Sequence, residues 1–128
     1  MKFRYTILYV DDVPASIDFF CRAFGFEKSF VHGSGDFGEL ATGETKLSFC
    51  STALFRQLGK NPLKPAPGRP TFELAFETED VHGAVERAVQ AGALLVQDVR
   101  EEAWGQTTAY VSDPNGYLIE ICSAMQAS

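Results

Sequence analysis

Apolar residues fall in two rhythms along this chain, and the rhythms occur in the same order twice. Tyr5–Val10 is a short run rich in aromatic and β-branched residues, apolar on both faces. That composition predicts a strand covered on both sides. Ile17, Phe20, Cys21 and Phe24 then recur at i, i+3, i+4 and i+7, the stripe of a helix with one buried face. Asp12 supplies its N-cap, Pro14 lies in its first turn and Gly25 stops it. Three short strands should follow, near Glu27–Val31, Phe37–Ala41 and Lys46–Cys50. The turn-formers Gly33-Ser34-Gly35-Asp36 and Thr42-Gly43-Glu44 separate them.

The second half repeats this plan. Phe72, Leu74 and Phe76 alternate with Glu73, Ala75 and Glu77, the period of a strand. Asp80 caps a helix with Val81, Ala84, Val85, Ala88 and Val89 on one face, and Gly92 ends it. Strands near Leu94–Val99, Thr107–Ser112 and Tyr117–Cys122 complete the series. Asp113-Pro114-Asn115-Gly116 is the turn between the last two. The matches extend to details. Asp12-Val13 answers to Asp80-Val81, Phe24-Gly25-Phe26 to Ala91-Gly92-Ala93, and Leu47-Ser48-Phe49-Cys50-Ser51 to Ile119-Glu120-Ile121-Cys122-Ser123. The expected class is α+β, one domain over 1–128. It comprises two β-α-β-β-β modules, 1–51 and 71–123, joined by a linker over 52–70. A duplicated module sets equivalent residues about a pseudo-twofold axis and points to one shared cleft.

The linker holds Pro62, Pro65, Pro67, Pro70, Gly59 and Gly68, and the cations Arg56, Lys60, Lys64 and Arg69. One helical turn is expected near Ala53–Leu58. The segment reads either as a solvated connector or as a loop that closes over a cleft.

Composition narrows the function classes. A net charge of −6 argues against nucleic acid, whose partners carry basic patches. It permits a cationic small molecule. Eleven phenylalanines mean an aromatic core or a ring-lined cavity. Cys21, Cys50 and Cys122 form no C-x-x-C pair and read as small buried hydrophobes in a reducing compartment. No signal peptide and no membrane-spanning apolar run is evident, so the expected location is cytoplasmic.

Two strings carry a resemblance. Leu8-Tyr9-Val10-Asp11-Asp12…Ser16…Phe19-Phe20…Phe24-Gly25-Phe26 is one. Trp104-Gly105…Asp113-Pro114-Asn115-Gly116-Tyr117-Leu118-Ile119-Glu120 is the other. Together with the duplicated order they resemble the vicinal oxygen chelate superfamily over nearly the whole chain. That superfamily includes glyoxalase I, extradiol dioxygenases, and fosfomycin- and bleomycin-resistance proteins. The resemblance implies that each module curls its sheet into half of an open barrel with a concave cleft. It also implies four inward positions, one on the first and one on the last strand of each module. The internal repeat assigns these to Tyr5, Ser48, Glu73 and Glu120.

Metal-dependent members carry His, Gln or Glu at such positions, and here Glu120 matches best. Tyr5 and Ser48 are poor ligands. Glu73 and Glu120 alone would hold a divalent metal weakly, through water. His32 and His82 read as surface residues. No tightly bound cofactor is therefore expected. Two readings of Glu73 and Glu120 stand: solvated or salt-bridged charges, with Lys46 as a partner for Glu120, or a carboxylate pair that attracts a cation. Phe37, Phe55, Trp104 and Tyr110 are candidates for an aromatic rim that would stack a planar ligand. The resemblance then implies a bleomycin-resistance-like homodimer that sequesters a cationic or planar aromatic molecule. The alternative is a metal-dependent lyase, isomerase or dioxygenase of the glyoxalase type, with Glu120 as ligand or base.

Overall fold

The computed structural model describes residues 1–125. Its elements are β1 (Tyr5–Val10), α1 (Val13–Phe24), β2 (Glu27–Val31), β3 (Phe37–Ala41), β4 (Lys46–Ser51) and α2 (Thr52–Gln57). They continue with β5 (Leu74–Glu77), α3 (Val81–Ala91), β6 (Leu94–Glu101), β7 (Thr107–Ser112) and β8 (Leu118–Cys122). The chain divides into two compact units between Lys64 and Pro65. Each is an α+β module with its own four-stranded mixed sheet. The strand orders, β1-β4-β3-β2 and β5-β8-β7-β6, are the same order twice. The first and last strands of each module run parallel, and the other pairs are antiparallel.

Caps fix the helices where the sequence puts them. The Asp12 carboxylate accepts from the Ala15 amide, and Gly25 closes α1 at φ 76°. The Asp80 carboxylate accepts from the Gly83 amide, and Gly92 closes α3 at φ 118°. Both glycines occupy the left-handed region, where a side chain would cost about 1 kcal/mol or more.

The phenylalanines settle into a core. On the buried face of α1, Phe20 meets Phe19, Phe24 and Phe49 with ring centroids 5.1–5.6 Å apart. Phe20 and Phe49 are fully buried with Leu8, Val10 and Leu40. One face of the first sheet is thus sealed by α1. Strand β1 is not covered on both sides, however: Leu8 and Val10 are buried, whereas Tyr5 and Ile7 on the other face are exposed. In the second module the buried row is Ala109, Val111, Ile119 and Ile121, matched by Val81, Val85 and Ala88 of α3.

The linker is not a uniform connector. Its first part folds onto the first module. Ser51 Oγ caps α2 at Leu54 N and donates to Asp36 Oδ1, 2.8 Å away. Asp11 accepts from Thr52 Oγ1 and from Lys64 Nζ. The Lys60 ammonium lies 4.8 Å from the centre of the Phe55 ring.

Candidate functional site

Strand alternation puts every second residue of β8 on the sheet face opposite the buried isoleucines. Glu120 therefore lies between Ile119 and Ile121 in sequence but on the other face. Its register partners continue a row across the sheet: Ala75 on β5, Tyr110 on β7 and then Gln97 on β6. The equivalent row in the first module is Ile7, Ser48, Glu39 and Phe30. Ser48 and Glu120 thus occupy the same place in the repeat.

The second row is a hydrogen-bonding device. Tyr110 Oη lies 2.9 Å from Glu73 Oε2 and 3.1 Å from Glu120 Oε2. A phenol has one proton, so it can serve only one of these carboxylates at a time. The other carboxylate oxygen then faces the phenol oxygen without a share in its proton. A proton on that carboxylate, or a cation that donates to it from beside the pair, would relieve that contact. Burial, then Glu73, then Glu120 push the Tyr110 hydroxyl well above the usual phenol range, because phenolate would add a third negative charge. Tyr110 is thus a fixed donor at neutral pH. Glu73 stands one residue before β5 and is exposed, so this triad is open to solvent.

The remaining candidates separate. In the first module Tyr5 is 52 % exposed and pairs in register with Lys46. Phe37 lies against Phe30, with centroids 6.1 Å apart and planes at 31°. Ser48 is fully buried, and its Oγ has no hydrogen-bond partner among the described residues. Phe55 packs into the first module. It is 8 % exposed, edge-on to Tyr9 at 4.6 Å and beneath Lys60. In the second module Trp104 is 60 % exposed, and its indole N–H donates to Gln106 Oε1 at 2.8 Å.

Sequence reasoning missed Gln106 and Gln97. Gln106 is buried, and Gln97 shares the row of Tyr110 and Glu120. Neither carries a local signal, since a lone Gln in a strand looks like any solvent-facing polar residue. The twofold alignment could have found Gln97, the repeat equivalent of Phe30.

Other reactive groups fall outside the triad. His32 and His82 are exposed, and His32 Nδ1 accepts from the Ser34 amide at 3.2 Å within its own loop. Burial raises the Cys50 and Cys122 thiols, the opposite of an activated nucleophile. Among the described residues no three His, Cys, Asp or Glu gather as a metal-ligand cluster. The donor set is oxygen only, the chemistry of Mg²⁺ or Mn²⁺ rather than of a tight Zn²⁺ or Ni²⁺ site. Two carboxylates shared with a phenol offer no nitrogen or sulfur. A separate cavity of about 550 Å³ lies at the ends of β5 and β8, lined by Glu77, Thr78, Glu79, Ser123 and Ala124.

The modules differ in charge. Residues 1–64 carry eight Lys and Arg against seven Asp and Glu. Residues 65–128 carry three against ten. The triad therefore sits in the module that carries the chain's whole negative excess.

A family model described as the Glyoxalase/Bleomycin resistance protein/Dioxygenase superfamily matches residues 2–121. Among curated relatives, the uncharacterized protein YraH of Bacillus subtilis is 25 % identical over 124 residues, covering 94 % of this chain and 97 % of its own length. An uncharacterized protein of Mycobacterium tuberculosis is 28 % identical over 116 residues, covering 86 % of this chain and 67 % of its own. Among solved structures, a glyoxalase-related enzyme from Fulvimarina pelagi superposes with a TM-score of 0.82 at 23 % identity, covering 97 % of this chain and 88 % of that one. TioX from Micromonospora sp. ML1 superposes with a TM-score of 0.71 at 24 % identity, covering 96 % and 98 %. These structural likenesses establish the shared fold. No helix among the described residues is long and apolar enough to cross a membrane.

Proposed function

Because the chain belongs to the glyoxalase/bleomycin resistance protein/dioxygenase superfamily, we propose that it binds and sequesters a small cationic molecule with a planar aromatic body. The binding group is the Glu73–Tyr110–Glu120 triad. The observation that carries this reading is the one-proton phenol held between two carboxylates. A ligand N–H⁺ beside the triad would donate to the carboxylate that the phenol does not serve and would offset the negative charge. Trp104, exposed in the same module, offers a ring face for stacking and for cation–π attraction. The oxygen-only donors favour a protein that works without a tightly held zinc or nickel ion.

Calorimetric titration with proflavine, a planar cation, and with acridine at pH 8, its uncharged parent, tests this. An open groove is wet, so each carboxylate contributes about 1–2 kcal/mol to cation binding. Glu73→Gln should weaken proflavine roughly tenfold and leave acridine unchanged. Trp104→Ala should weaken both. If Glu73→Gln leaves proflavine affinity where it was, the carboxylates are bystanders and the reading fails. Stoichiometric Zn, Ni or Fe that survives dialysis and is lost in Glu120→Ala would favour a metal-dependent enzyme instead.

A further inference from the structure

Trp104 is the chain's one tryptophan. It stands exposed in the turn between β6 and β7, yet its indole N–H is not left to water. Gln106 Oε1 accepts that N–H at 2.8 Å, and Gln106 Nε2 donates to the Ser123 carbonyl at 2.9 Å. The amide has one possible orientation here, because indole only donates and a carbonyl only accepts. Ser123 is itself fastened to the base of the hairpin. Its amide donates to the Thr107 carbonyl at 2.9 Å, and its Oγ accepts from the Thr107 amide at 2.8 Å. The turn is closed by Glu102 N to Gln106 O at 2.8 Å and by Gly105 N to Glu102 O at 3.0 Å, with Gly105 at φ 93°.

The pairing of burial and exposure is unusual. Gln106 is 9 % exposed, whereas the ring it holds is mostly in solvent. Burying an amide is costly unless its bonds are made. An exposed indole needs no such partner, since water satisfies it equally well. What the glutamine adds is orientation: it fixes a surface ring that would otherwise sample several rotamers. A ring fixed before binding loses less side-chain freedom on binding. Negative charge lies in the same hairpin. The Glu101 carboxylate accepts from Thr107 Oγ1, and Glu102 accepts from Thr108 Oγ1 and pairs with Arg100.

We propose that Gln106 is a positioning residue that latches Trp104 outward as a preorganised stacking platform. The ligand class, a planar aromatic cation, rests on the function proposed above; the latch does not. Single tryptophan content makes the test clean. Time-resolved fluorescence anisotropy of the ligand-free wild type should decay with whole-protein tumbling alone. Gln106→Leu, which removes both bonds, should add a fast local component. Proflavine binding, read by quenching of Trp104, should weaken roughly two- to tenfold in Gln106→Leu, the range expected for one newly mobile side chain. Calorimetry in the Trp104→Ala background should show no further loss when Gln106→Leu is added. If Gln106→Leu does not fold, as judged by circular dichroism, Gln106→Met takes its place with the same expectations. Unchanged anisotropy overturns the latch. So does an equal loss of affinity with and without Trp104. Failure of wild type to bind proflavine overturns the function reading, while the anisotropy result still decides the latch.

Discussion

Tyr110 links the chemistry of the second module to measurable titration. Burial and two neighbouring carboxylates hold its hydroxyl above the ordinary phenol value of 10.0. The difference between wild-type and Tyr110→Phe ultraviolet titrations should therefore show no phenolate at pH 10, where a free tyrosine is half ionised. A Tyr110 signal at that pH would remove the triad's fixed donor. Asp113 tests the turn that precedes β8. Its carboxylate accepts from the Asn115 and Tyr117 amides at 3.1 and 2.7 Å, and it is buried. Asp113→Ala leaves those donors without their acceptor and should cost about 2–3 kcal/mol in urea unfolding at pH 7. Burial raises this carboxyl above its ordinary value of 3.8, despite hydrogen bonds that pull it down. The folded chain then holds the proton more tightly than the unfolded chain. The contribution is full below pH 3.8 and is lost as pH rises through the folded value. Asp113→Asn, which cannot ionise, should lack that loss.

At the scale of elements, the linker begins as a helix and ends as a tether. The helical turn expected near Ala53–Leu58 is present as α2, capped by Ser51, and Phe55 buries its ring against Tyr9. The Lys64–Asp11 pair then ties residue 64 to the end of β1. Lys64, then Thr52, lower the Asp11 carboxyl below 3.8 by stabilising its charge. Here the sign is opposite to Asp113. Stability from this pair is present above pH 3.8 and is lost as pH falls through the folded value. Lys64→Met should lower the thermal midpoint slightly at pH 7. The difference from wild type should vanish in acid. Both groups are exposed, so the shift should be small and should shrink further in salt.

At the scale of the whole molecule, duplication has been followed by divergence. The first module kept nine of the eleven phenylalanines, and the second took the negative charge. Cation binding should thus weaken steeply with salt, since charges on an open face are screened over about 10 Å at 0.1 M. Proflavine affinity that ignores added NaCl would count against the acidic module as its binding partner. Self-association is expected too. Edge strand β6 exposes Leu94, Leu95 and Val96 in succession, and Val89 of α3 is also exposed. Sedimentation equilibrium at micromolar concentration should report a dimer, and Leu95→Lys should shift it toward monomer. A wild-type monomer under these conditions would leave that apolar strand unexplained.

Local chemistry determined the elements. Asp12 and Asp80 with Gly25 and Gly92 bracket two helices because capping depends on residues close in sequence. Alternation in Phe72–Glu77 and the Asp113–Gly116 turn likewise predicted strands and their breaks, to within a residue or two. The repeat also supplied the equivalence of Ser48 with Glu120, since a one-residue slip would have turned both to the other face. Tertiary structure decided the rest. That Tyr110 bridges Glu73 and Glu120 depends on the order β5-β8-β7, which joins residues 37 and 10 positions apart. That Gln106 grips Trp104 depends on Ser123 returning beside Thr107. Phe55, in the expected helical turn, and Trp104, before a strand, both read as rim candidates, yet one is buried and the other is exposed. Burial is a property of what folds over a side chain, and composition carries no record of that.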